Sequence, residues 1–86
     1  MSEHKNIILQ VSASFCSPCQ QAKRYIKSIK AEDKVVYVDV EENEALVAEY
    51  KIKSLPTFIL LDIDGKEVER FVGFDKVKID NVLEKV

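Results

Sequence analysis

The sequence predicts one α/β domain, a three-layer sandwich in which helices cover both faces of a mixed four-stranded sheet. Segments with the composition of strands alternate with segments of helical periodicity, in the order β-α-β-α-β-β-α. A chain of 86 residues can bury one modest core, so residues 1–86 are expected to form a single domain.

The first strand and helix are indicated by a change of hydrophobic period. Asn6–Ser12 is rich in apolar and β-branched residues and reads as a strand. After a small polar loop, a helix is expected to begin at Pro18 and to end at Glu32 and Asp33. The residues at helical spacing that should form its buried stripe are Ala22, Ile26 and Ile29.

The next strand and helix complete a right-handed crossover. Val35–Val40 is almost continuously apolar, which favours a strand that runs parallel to the first and is covered on both faces. Asn43–Lys51 has helical periodicity, and Asn43 can cap its start. The side chains expected to point inward are Leu46, Val47 and Tyr50.

The last third of the chain predicts a hairpin and a closing helix. Thr57–Leu61 is an apolar strand, and Asp62–Gly65 is a turn in which Gly65 can adopt a positive φ. Glu67–Val72 alternates polar and apolar residues, as in an antiparallel edge strand. After Gly73, Asp75 can cap a helix with Ile79, Val82, Leu83 and Val86 on its apolar face.

Composition excludes several classes of function. The net charge of −2 offers no general surface for nucleic acid, which is bound by neutralising phosphates. No apolar run approaches the ~20 residues that a membrane span requires. The first residues lack an apolar signal region before a small-residue cleavage site. We therefore expect a cytoplasmic protein with neither nucleic-acid nor membrane partners.

The two cysteines, Cys16 and Cys19, lie at the junction of the first strand and helix. A structural disulfide across so short a loop would contribute only about 2 kcal/mol and would be unusual in the cytoplasm. A closed zinc site needs four ligands, and His4 would supply only a third. They could also be two small core residues.

A redox dithiol fits these residues better. Free N–H groups and the positive dipole at a helix start stabilise a thiolate, and Cys16 would gain most. A three-residue offset places Cys19 on the next turn, within disulfide reach. Pro18 has no N–H to lose in the first turn and stiffens the segment between the sulfurs. Pro56, before the third strand, is expected to be trans on base rates alone.

Three motifs in this order resemble those of the thioredoxin family. Cys16-Ser17-Pro18-Cys19 matches its C-x-P-C active site, and Leu55-Pro56-Thr57 looks like its cis-proline loop. Phe71-Val72-Gly73 resembles the strand end near its substrate groove. The order of elements is also similar to the family's, and the resemblance extends from about residue 5 to residue 86.

The resemblance implies a thioredoxin fold and a protein-disulfide reductase. Cys16 would be the nucleophile that attacks the substrate disulfide, and Cys19 would be the resolving thiol. Pro56 would be cis, contrary to the expectation from the residues alone. The positions that would support the active site or bind substrate are Phe15, Ser17, Pro18, Leu55, Pro56, Thr57 and Gly73.

The same resemblance implies the partners. These are disulfide-containing substrate proteins and an electron donor similar to thioredoxin reductase, because the chain has no dinucleotide fingerprint of its own. No metal and no cofactor beyond the redox-active Cys16–Cys19 disulfide are expected, and the protein should be a monomer. Two alternatives stay open: a glutaredoxin-like reductase that uses glutathione, and an interaction subunit whose surface near Phe15, Leu55 and Phe74 docks a partner.

The chain also departs from the family pattern. Full-length thioredoxins begin with an extra strand and helix, so this sequence looks like a shortened member. Phe15 replaces the usual Trp, and Ser17 replaces Gly. Gln10 occupies the position of a buried Asp that helps to take the proton from the resolving thiol. Because an amide does not titrate near neutral pH, we expect a buried, hydrogen-bonded Gln10 and slower resolution at Cys19.

Overall fold

The computed structural model describes residues 6–86, so His4 lies outside the described part of the chain. The described elements follow the predicted order, with two short 3-10 turns added. They are β1 (Ile7–Ser12), α1 (Ser17–Ser28), a 3-10 turn (Glu32–Lys34), β2 (Val35–Asp39), a second 3-10 turn (Val40–Glu42), α2 (Glu44–Glu49), β3 (Thr57–Leu61), β4 (Glu67–Val72) and α3 (Lys76–Leu83).

The four strands form one mixed sheet in the order β2-β1-β3-β4. β1 runs parallel to β2, with Gln10 opposite Tyr37, and antiparallel to β3, with Gln10 opposite Phe58. β4 is antiparallel to β3 and forms the other edge. The predicted fold class is confirmed, and the C-terminal end of central strand β1 leads directly to the two cysteines.

The core has one large cluster on each face of the sheet. On one face α1 and α3 pack over strand residues such as Ile8 and Phe58, and the helices contribute Ala22, Ile26, Ile79, Val82 and Leu83. On the opposite face α2 covers Leu9, Val11 and Ile59 with the half-buried Leu46 and Tyr50. Helices on both faces confirm the predicted three layers.

α1 ends earlier than predicted. Lys30 adopts a left-handed φ of 59°, and the N–H of Ala31 donates to the carbonyl of Ile26 at 3.0 Å. This is a Schellman ending, in which the chain turns before Glu32 is reached. Ile29 consequently lies past the helix and is exposed, so its assignment to the buried stripe was wrong.

β2 is an edge strand and is not covered on both faces as predicted. In this strand Val36 is 47% exposed, although Val35 before it and Val38 after it are buried. An apolar run predicts that a strand forms, but the position of the strand in the sheet depends on the rest of the chain. The parallel pairing with β1 was predicted correctly.

α2 is shorter than the predicted Asn43–Lys51. Asn43 occupies the position before the helix but makes no capping bond with its side chain, because its amide donates to the carbonyl of Asp39 at 2.9 Å. Lys51 has a φ of 54° and turns the chain away. The three residues predicted to point inward, Leu46, Val47 and Tyr50, are only half-buried.

The hairpin and the last helix form as predicted. Gly65 adopts a φ of 83° in the turn, and the carboxylate of Asp62 accepts hydrogen bonds from the N–H groups of Asp64 and Lys66. In β4 the buried residue is Phe71, which stacks on Phe58. The carboxylate of Asp75 accepts the N–H of Lys78 at 3.1 Å and so caps α3.

Candidate active site

The two cysteines close a disulfide at the start of α1. Cys16 is the N-cap residue, with an extended backbone, and Cys19 lies in the first turn. Their Cα atoms are 5.2 Å apart, and the Sγ atom of Cys16 accepts the N–H of Cys19 at 3.2 Å. The predicted reach between the two sulfurs is confirmed, and the sulfur of Cys16 faces an amide donor of the helix start.

The two cysteines differ in access to solvent. Cys16 keeps 9% of its surface exposed, whereas Cys19 keeps none. Ser17 and Pro18 between them are exposed, and the neighbouring Phe15 is 74% exposed. Of the two cysteines, only Cys16 keeps any contact with solvent, and it lies among exposed neighbours.

The Pro56 loop lies against the same site. The Leu55–Pro56 peptide bond is cis, as the family resemblance implied and contrary to the expectation from the residues alone. Leu55 packs against the cluster of Ala13, Cys16 and Cys19. Ala13 and Val40, which also lines this cluster, were not singled out from the sequence, because small and aliphatic side chains carry no chemical signal there.

Hydrogen bonds hold this loop in place. The hydroxyl of Thr57 donates to the carbonyl of Ser54 at 2.6 Å. The N–H of Gly73 donates to the carbonyl of Pro56 at 2.9 Å, and Gly73 has a φ of 97°, which favours glycine. Two of the predicted motifs, distant in sequence, are thus joined directly, and Leu55 connects them to the third.

Gln10 lies fully buried beneath the cysteines. Its Nε2 atom donates to the backbone carbonyl of Cys19 at 3.0 Å, so the predicted hydrogen-bonded amide is confirmed. Its Oε1 atom is buried and has no hydrogen-bond partner in the described structure. A side chain of β1 is therefore hydrogen-bonded to the backbone of Cys19.

Other features of residues 6–86 lie away from the disulfide. A groove of about 440 Å³ runs between α1 and β2 and is lined by Lys23, Lys27 and Tyr37 among others. Phe74 is half-buried against the ring of Tyr25, whereas Phe15 is exposed. This part of the chain contains no cluster of three metal-ligating side chains, and none of its helices is long and apolar enough to cross a membrane.

A disulfide at a helix N-terminus, adjoining a cis-proline loop on an α/β sandwich, defines the class of thiol–disulfide oxidoreductases with a thioredoxin fold. The thioredoxin family model matches residues 1–85. Thioredoxin-1 of Drosophila melanogaster is 30% identical over 99% of this chain and 82% of its own length. The H-type thioredoxin of Fagopyrum esculentum is 35% identical over 95% of the chain and 70% of its length. The chain belongs to the thioredoxin family.

Solved structures agree with this assignment. Deadhead, a germline-specific thioredoxin of Drosophila melanogaster, superposes with a TM-score of 0.81 at 34% identity, covering 95% of this chain and 81% of Deadhead. Thioredoxin of Fasciola hepatica gives a TM-score of 0.82 at 30% identity, covering 94% and 80% of the two chains. The protein is a protein-disulfide reductase that uses a redox-active disulfide, disulfide-containing substrate proteins and a reductase as electron donor.

Proposed function

We propose that Cys16 is the nucleophile and Cys19 the resolving thiol of this reductase. The Cys16 thiolate attacks one sulfur of a substrate disulfide, forms a mixed disulfide and releases the first substrate thiolate. The Cys19 thiolate then attacks Sγ of Cys16, closes the Cys16–Cys19 disulfide and releases the second substrate thiol. Two electrons pass to the substrate. The observation that carries this order is the exposure of Cys16 against the complete burial of Cys19.

The start of α1 supports the same order. In the oxidised structure the Sγ atom of Cys16 already accepts the N–H of Cys19, and the positive end of the helix dipole points at that sulfur. Both interactions favour a negative charge on Cys16, which is the form that attacks the substrate disulfide. Cys19 lies within the first turn, where this stabilisation is smaller.

The residues around Cys16 form the proposed substrate surface. Phe15, with Ser17 and Pro18, would contact substrate side chains beside the reactive sulfur. The backbone at Leu55, before cis Pro56, would pair with an extended substrate segment. Support for this surface comes from Leu55, which packs against the cysteine cluster, and from the hydrogen bond that joins Gly73 to Pro56. Thr57 would hold the loop in shape.

Turnover of insulin disulfides with three electron donors tests the reaction and the donor together. Dithiothreitol, NADPH with a flavin-dependent thioredoxin reductase, and glutathione with glutathione reductase are supplied in parallel. We expect catalysis with the first two donors. If glutathione supports turnover and thioredoxin reductase does not, the protein is reassigned to the glutaredoxin-like alternative. If no donor supports turnover while a partner protein still binds the Cys16→Ser, Cys19→Ser variant, the interaction-subunit alternative replaces this proposal.

The assembly and compartment are part of the same proposal. We propose a monomer with one domain over residues 1–86, working in the cytoplasm without nucleic-acid or membrane partners and without a bound metal. A reducing cytoplasm keeps such a dithiol available for turnover. Light scattering of the reduced protein measures its mass, and twice the chain mass of 9.8 kDa would contradict the monomer.

A further inference from the structure

Only one of the two polar atoms of the Gln10 amide makes a hydrogen bond. Nε2 donates to the carbonyl of Cys19, but Oε1 accepts nothing and is the one buried side-chain N or O atom within residues 6–86 that lacks a partner. Rotating the amide by 180° would place oxygen against the carbonyl of Cys19, so the present orientation is the favourable one. The protein therefore keeps an unsatisfied acceptor beneath its disulfide, at a cost in stability.

Reduction adds a donor to the residue that the Gln10 amide already contacts. The sulfurs of the disulfide carry no hydrogen, so the oxidised site offers Oε1 no S–H group. Reduction with two electrons and two protons gives Cys19 an S–H group. Cys19 is fully buried, and the Gln10 amide is already attached to its backbone. Within this enclosed site, the new S–H group and the free acceptor belong to two residues in direct contact.

We propose that Oε1 of Gln10 accepts a hydrogen bond from the Cys19 thiol in the reduced protein and thereby shifts the redox equilibrium toward the dithiol. This inference rests on Cys16 and Cys19 being the redox couple and adds how the fold sets its potential. The Nε2 bond to the carbonyl of Cys19 is made in both states and cancels from the comparison. The Oε1 bond exists only after reduction, so it stabilises the dithiol alone and makes the protein more oxidising. Gln10 is a positioning residue in this scheme, because it transfers neither proton nor electron.

The equilibrium with glutathione measures this effect directly. The reaction is protein disulfide plus two glutathione giving protein dithiol plus glutathione disulfide, and the two protein forms are counted after alkylation at pH 7. In Gln10→Leu, which has no acceptor, the equilibrium should move about threefold to tenfold toward the disulfide. A tenfold change corresponds to about 30 mV for a two-electron couple. Ser12→Ala, which removes a buried hydroxyl from the same face of β1, is the matched control and should leave the equilibrium unchanged.

Denaturation of both redox forms separates this role from a purely structural one. Gln10→Leu should destabilise the dithiol form more than the disulfide form, by the same factor that the glutathione equilibrium gives. Equal destabilisation of both forms with an unchanged equilibrium, or a shift toward the dithiol, would overturn the proposal. If Gln10→Leu does not fold, Gln10→Met, of similar length and with a weaker acceptor, decides by the same criteria. The equilibrium requires no turnover, so a failure of the proposed catalytic order would show separately in the insulin assay.

Discussion

Cys16 and Cys19 are three residues apart, and they occupy two different surroundings. Cys16 precedes α1 with extended backbone, beside the exposed Phe15. Cys19 is on the buried side of α1 and continues the line of Ala22 and Ile26 into the core. The start of a helix can therefore separate two identical side chains. One lies before the helix, and the other lies on the apolar stripe that faces the core.

The same difference supports the proposed roles of the two cysteines. A residue at the surface can meet a protein disulfide, and a residue in the core can meet only its neighbour. Contacts from β1 and from the loop before β3 accompany this division, since Gln10 of β1 donates to the backbone of Cys19 and Leu55 packs against the cluster that contains both cysteines. Three predictions test this division, and they are given in order of decreasing size.

Replacing each cysteine in turn should have the largest effect on turnover. Cys16→Ser and Cys19→Ser should each lower turnover by on the order of a thousandfold or more, since the two residues act as a unit. Only Cys19→Ser should accumulate a covalent mixed disulfide with substrate, because its exposed nucleophile remains. Non-reducing electrophoresis and mass spectrometry measure the adduct. Equal adduct formation by both variants would contradict the assignment of roles.

Truncating the exposed Phe15 beside the cysteines should have a smaller effect on activity. Phe15→Ala removes an exposed aromatic group next to Cys16, and we expect kcat/KM for a protein substrate to fall by about threefold to tenfold. The rate with a small disulfide should change little. Ile63→Ala, an equally apolar and exposed site in the β3–β4 turn, is the matched control, and an equal loss there would remove Phe15 from the substrate surface.

Introducing a carboxylate at the buried position of Gln10 should produce the smallest change in turnover. Gln10→Asp places a carboxylate where it can accept the proton of Cys19, and turnover near pH 7 should rise by about threefold. The gain should disappear as the pH falls and the carboxyl is protonated. Gln10→Asn has the same shape and does not titrate, so it should show no gain. If the two variants behave alike across pH 6 to 8, proton transfer at Cys19 does not limit the reaction.

Local patterns were sufficient for much of the fold and of the site. Strand composition placed β1 and β3 to within a residue, and the capping role of Asp75 followed from its side chain. The spacing of Cys16 and Cys19 indicated a redox pair because the offset of three residues and the helix start are both local features. The order of the elements then defined the fold class.

Properties that depend on distant parts of the chain were not predictable in the same way. Ile29 fits the helical period, but α1 ends at Ser28 and the chain turns away at a left-handed Lys30. Val36 belongs to an apolar run, but its strand lies at the edge of the sheet. The cis state of Pro56 required the family resemblance, since its local sequence favours trans.

The sequence by itself determined the order of strands and helices, the reactive pair at the start of α1 and the family to which the chain is similar. These follow from side-chain period, capping groups and short motifs, which act over a few residues. The meeting of distant segments set three further features: Cys19 is fully enclosed while Cys16 keeps 9% of its surface exposed, Gly73 holds Pro56, and Gln10 contacts the backbone of Cys19 with one amide atom while the other has no partner. Burial and hydrogen bonding of this kind depend on which segments meet in space, and local sequence does not specify that.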